Sequence, residues 1–107
     1  GLAVDAHEGE RLAASMQGKN ILMMANHGVM IGATTIAQAY DELYYLERTA
    51  AAQILAMSTG RPLRIIPKEI CEDTARQMSS DNMHRFANDH FNSLKRVLDR
   101  EQPSYRD

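Results

Sequence analysis

The chain has no tryptophan, a single cysteine and three prolines in 107 residues. One cysteine, Cys71, excludes an internal disulfide and fits a reducing cytoplasm. Four tyrosines and two phenylalanines leave little aromatic mass, and seven methionines supply adaptable filling instead. No apolar run approaches the ~20 residues of a membrane-spanning helix. No run of lysine and arginine exceeds two and the net charge is −2, which argues against nucleic acid or an anionic membrane as the main partner. The first residues lack the charged-then-apolar order of a secretory signal, so none is expected in this stretch. Neither a repeat nor a low-complexity segment is present. Phosphate-binding glycine loops of the Walker or dinucleotide type are missing, as is a serine nucleophile elbow.

The length suits one smallish domain. A hydrophobic content of 44% and a charged content of 24% are those of an ordinary globular chain. Its organising stretch is ILMMANHGVMIG, residues 21–32. Residues 21–25 lack polar alternation and read as a strand covered on both faces; Val29-Met30-Ile31 reads the same way. Asn26 and Gly28 both tolerate positive φ, so the chain turns or bulges between the runs. His27 thus sits at the end of a strand on a backbone held from both sides. That position suits a metal ligand or an acid–base group; a lone histidine in such a turn is more often simply a solvated turn residue.

Upstream, Asp5 and Glu8 form a capping box for a helix over residues 7–16, with Gly18 as its stop. Downstream, Thr35 and Gln38 form a second capping box for a long helix over residues 36–58. Ile36, Tyr40, Leu43, Ala50, Ile54 and Met57 recur at helical spacing as a core-facing stripe, interrupted by Glu47. Glu47 reads as a boundary residue bent toward solvent or as a buried carboxylate with a fixed partner. Gly60 and Pro62 stop the helix. After an extended connector, Pro67 opens a third helix over residues 68–78, where Cys71 reads as a small core residue. A last helix over residues 82–100 places Phe86, His90, Leu94, Val97 and Leu98 on one face. The order is helix, two strands, long helix, two further helices. Two strands do not make a stable sheet alone, so the pattern reads as part of an α/β sheet whose other strands lie elsewhere.

The histidines do not form a metal site by spacing. The chain carries His7, His27, His84 and His90, with no HxH or HxxxH pair. His84 and His90 project about 120° apart on a helix of ~3.6 residues per turn and cannot chelate one ion as a pair. His7 reads as exposed, and His90 as packed in the seam of the last helix.

The residues ILMMANHGVMIG followed by TIAQAYDELYYLERTAAAQ resemble the class II aldolase/adducin family. The likeness is to the C-terminal part of its domain, over about residues 4–107, and the tail HFNSLKRVLDREQPSYRD is similar to that of the longer, adducin-like bacterial members. The resemblance implies the C-terminal part of a three-layer α/β/α domain whose N-terminal half is absent. It implies a divalent metal, zinc in most members, held by an HxH pair and by the histidine of the NHG segment. His27 matches that third ligand. The metal polarises a substrate carbonyl and stabilises an enediolate-like intermediate, and members cleave carbon–carbon bonds, epimerise or decarboxylate. The substrate implied is a sugar phosphate or a related carbonyl or carboxylate compound. The implied assembly is a homo-oligomer up to a tetramer, or a pairing with the missing half. Tyr105 or His90 would approach a neighbour's metal as catalytic groups. The chain lacks the HxH pair, the family's acidic acid–base residue and its phosphate-binding segment, so alone it is expected to be inactive. The alternative is an adducin-like, non-catalytic assembly domain.

Overall fold

In a computed structural model, residues 6–107 are described. The chain divides into two compact units, the first ending at Thr34 and the second spanning Thr35–Asp107. Asp5 lies outside the described residues, so the first capping box is not part of the description.

The first unit holds helix α1, Ala6–Met16, and strands β1, Ile21–Met24, and β2, Gly28–Ile31. The strands pair antiparallel in the register Ile21 with Ile31, Leu22 with Met30, Met23 with Val29 and Met24 with Gly28. This pairing places Leu22, Met24 and Met30 on one face and Ile21, Met23, Val29 and Ile31 on the other. The expectation of strands covered on both faces is not met. Ile21 is 39% exposed and Met23 70%, because among the described residues this sheet has only two strands and α1 covers one side.

The second unit holds α2, Ile36–Ser58, α3, Lys68–Met78, α4, Asp81–Glu101, and a 3₁₀ turn, Pro103–Arg106. α2 begins where the sequence says it should: the Thr35 hydroxyl accepts a hydrogen bond from the Gln38 amide at 3.2 Å. It ends at Thr59 and Gly60, the latter at φ 69°, a conformation glycine adopts freely. Pro67 precedes α3 as its cap rather than lying inside it, and its carbonyl accepts from the Ile70 amide at 3.1 Å and the Cys71 amide at 3.2 Å.

α2 and α4 pack together through small residues. Ala37 and Ala87 are the buried hydrophobic residues among those described. Around them Tyr40 meets Phe91 with ring centroids 5.9 Å apart, and Tyr44 meets His90 edge-on at 4.6 Å. The covered face of α4 carries Met83, Ala87, His90, Leu94 and Val97, one turn-face round from part of the predicted set. Phe86 stays out of it, exposed by 59%.

The stripe predicted on α2 is not the covered face: Ile36, Tyr40, Leu43, Ala50, Ile54 and Met57 are all exposed, and the covered residues, Ala37, Asp41, Tyr44 and their neighbours up to Leu46, lie on the side that meets α4. From Glu47 onward every residue of the helix is exposed, Ile54 and Met57 included, so Glu47 is a solvated residue. α3 is exposed along its whole length. Cys71 is therefore not a core residue: α3 makes no extensive contact with another described element, and Cys71 is exposed.

Candidate functional site

β1 runs out at Met24, and Ala25-Asn26-His27 carry the chain back into β2. The Met24 carbonyl accepts a hydrogen bond from the His27 amide at 3.1 Å. Asn26 takes φ 62°, the positive value a type II turn needs at its third position. Gly28 takes φ 126°, outside the range of an ordinary side-chain-bearing residue. The two residues read from the sequence as turn-formers thus hold the His27 backbone from either side.

The exposed His27 side chain lines a cleft of about 630 Å³ between this hairpin and α1. Glu8 and Arg11 of α1 line the same cleft, with Leu12, Leu22, Met24 and Met30 as apolar wall. The Glu8 carboxylate accepts from Arg11 Nε at 3.0 Å and from Arg11 Nη2 at 2.5 Å. Those hydrogen bonds hold the Glu8 carboxyl below the usual range; the charges of Arg11 and of nearby His27 act in the same direction. Sequence reading placed Glu8 only as a capping residue and passed over Arg11. Their three-residue spacing on one helix face was the available signal.

His90 lies in the second unit, half-buried between α4 and α2. Its Nδ1 is 2.7 Å from Asp41 Oδ1, across 49 residues of sequence. A carboxylate only accepts, so Nδ1 carries the proton. The rings of Tyr40, Tyr44 and Tyr45 surround the imidazole at centroid distances of 5.9, 4.6 and 6.4 Å. Arg48 stacks on Tyr44 with its guanidinium carbon 3.5 Å from the ring centre. Beside Asp41, partial burial pushes the Glu42 carboxyl up, the Asp41 charge adds to the shift and His84 opposes it. Nothing in the sequence pointed to Asp41, because the contact is made by helix packing.

Tyr105 is tied back onto α4: its phenol donates to Asp99 Oδ1 at 2.7 Å, and Arg106 Nη2 reaches the same oxygen at 2.5 Å. His7 and His84 are exposed. Among the described residues no three His, Cys, Asp or Glu side chains converge as a metal site. In the cleft, His27 offers one donor, and the Glu8 carboxylate is already held by Arg11. That falls short of the three protein ligands of a catalytic zinc, so the described residues alone do not fit the ion and no reaction step follows through it here.

Helices with a two-stranded hairpin, turned through Asn-His-Gly and followed by a threonine-capped helix, are compatible with part of an α/β aldolase-like domain. The chain belongs to the class II aldolase/adducin family: the family described as "Class II Aldolase and Adducin N-terminal domain" matches residues 2–54. Over 107 residues it is 33% identical to a "Putative aldolase class 2 protein" of Caulobacter vibrioides, an alignment covering 100% of this chain and 42% of that protein. A Pseudomonas aeruginosa protein of the same description is 31% identical over 113 residues, covering 99% of this chain and 42% of its own length. The decarboxylase NovR of Streptomyces niveus is 30% identical over 80 residues, 75% of this chain and 29% of NovR. The chain therefore spans well under half the length of these relatives. No solved structure matches.

Proposed function

We propose that this chain is the C-terminal portion of a metal-dependent, class II aldolase-like lyase domain of three-layer α/β/α build, with His27 as one ligand of a divalent metal, zinc being the first candidate. The observation that carries the reading is the turn itself. Asn26 and Gly28 hold His27 at the mouth of a cleft, on the hairpin that the family match covers. The remaining ligands and the acid–base group come from residues outside those described. When bound, such a metal acts as a Lewis acid toward a substrate carbonyl. The substrate class is a small carbonyl or carboxylate compound, a sugar phosphate included, and decarboxylation is a natural variant given the likeness to NovR. Among the described residues no helix is long and apolar enough to cross a membrane, and a cytoplasmic setting suits the reading.

Zinc titration of the chain by calorimetry tests it. We expect weak binding, one ligand being too few, and its loss in His27→Ala. Tight one-to-one binding by the isolated monomer would overturn the split site. Zinc binding indifferent to His27→Ala would overturn the ligand assignment.

A second reading, an adducin-like assembly domain, is favoured by one observation: Ile54, Leu55 and Met57 of α2 and Ile65, Ile66 and Ile70 beyond it are all more than half exposed. Apolar surface of that extent attracts a partner, either another copy, up to a tetramer, or the other half of the domain. Under both readings sedimentation at micromolar concentration shows association. A sharp monomer peak counts against the uncovered surface being an interface.

A further inference from the structure

We propose that Asp41 and His90 form an acid–base dyad, in which His90 Nε2 takes the proton of a hydroxyl group or water and Asp41 positions the ring. The inference does not rest on the His27 metal reading, since both residues lie in the second unit.

Three observations carry it. The Asp41 carboxylate holds Nδ1–H at 2.7 Å, which fixes the neutral tautomer and leaves the Nε2 lone pair free. Nε2 has no hydrogen-bond partner among the described residues, and no buried polar side-chain atom there lacks one, so Nε2 reaches solvent. The pair is otherwise sheltered, with His90 and Asp41 side chains only 24% and 15% exposed, and Tyr40 and Tyr44 packed edge-on against the imidazole. A carboxylate behind one ring nitrogen and access at the other is the arrangement by which an imidazole accepts a proton and keeps the resulting charge stabilised. A hydrogen bond made only to lock two helices does not need the second nitrogen open. The proton taken from the O–H group resides on Nε2, the imidazolium charge faces the Asp41 carboxylate, and the oxygen keeps the bonding pair as the nucleophile.

The test uses the whole chain. Nitrogen-15 spectra at pH 8 should show His90 as the Nδ1–H tautomer, in about tenfold excess or more, the ratio that a charge-assisted hydrogen bond imposes. Asp41→Asn should reduce that excess. Hydrolysis of p-nitrophenyl acetate should exceed that of an equal concentration of free imidazole. It should fall to background in His90→Gln and about tenfold in Asp41→Asn, while His84→Gln retains it. A protonated Nε2 in the unsubstituted chain, which needs no variant to fold, overturns the proposal. So does ester hydrolysis that His90→Gln leaves unchanged.

Discussion

Replacing Gly28 by alanine should loosen the hairpin that carries His27. At φ 126° the backbone is in a region that L-residues rarely occupy. No heavy atom lies within 4 Å of the position a Cβ would take, so steric crowding contributes nothing and the cost is conformational. Holding an ordinary residue in such a region costs about 1–3 kcal/mol. Alanine also narrows the unfolded ensemble, which offsets about 0.4–1 kcal/mol. Mid-range values leave a net loss of about 1.3 kcal/mol, a factor of roughly 10 in the opening equilibrium. The probe is amide exchange of His27, whose N–H is bonded to the Met24 carbonyl at 3.1 Å. Gly9 supplies the control. It lies inside α1, also with no heavy atom near its would-be Cβ, but without the positive φ. There alanine should stabilise the helix by about 0.5–1 kcal/mol. If Gly28→Ala leaves His27 exchange unchanged, or if Gly9→Ala loosens the unit as much, the backbone argument is wrong and the turn is not what holds the histidine.

Thr35→Ala should lower the urea stability of the second unit by about 1 kcal/mol through loss of the bond to the Gln38 amide, and Thr35→Ser should restore most of it. Cys71 should react with a thiol reagent in native buffer as fast as in denaturant, and Cys71→Ser should change stability by less than about 0.5 kcal/mol. Asp99 is held below its ordinary range by its bond from Tyr105 and by Arg106. Its contribution to docking the tail is therefore complete above the ordinary aspartate range and lost as pH falls through the lowered value; exchange of the Tyr105 amide should rise only in acid, and Asp99→Asn should abolish that pH dependence. Glu42 behaves in the opposite sense. With its carboxyl pushed up by partial burial and by Asp41, stability is lost as pH rises through the raised value, so Glu42→Gln should raise the thermal midpoint at pH 7 and leave it unchanged in acid.

Local signals were legible wherever the determinant was local. The start and end of α2 follow from Thr35 and Gly60, the start of α3 from Pro67, and the turn at His27 from Asn26 and Gly28. What could not be read is set by packing between distant segments. Asp41 meets His90 across 49 residues, and no spacing rule reaches that far. Cys71 reads as a core residue because the sequence does not suggest the charged, open setting of a reactive thiol, yet composition does not say whether anything covers its helix. The Glu8–Arg11 pair was visible as a helix-surface pair, but that it shares a cleft with His27 depends on how α1 lies on the hairpin.

The mismatch between pattern and burial has its own physical content. Ile36, Ile54 and Met57 recur at helical spacing, as a helix with one covered side requires, yet all three are exposed by more than half. A sequence pattern that costs solubility persists when something covers it. On α2 the cover supplied by α4 reaches Ala37, Tyr40 and Tyr44 and ends before Glu47. On the hairpin, α1 faces Leu22 and Met24 while Ile21 and Met23 stay open. On the reading proposed above, the exposed apolar residues of α2, and in the other unit Ile21 and Met23 of the hairpin that carries His27, are where a partner would pack.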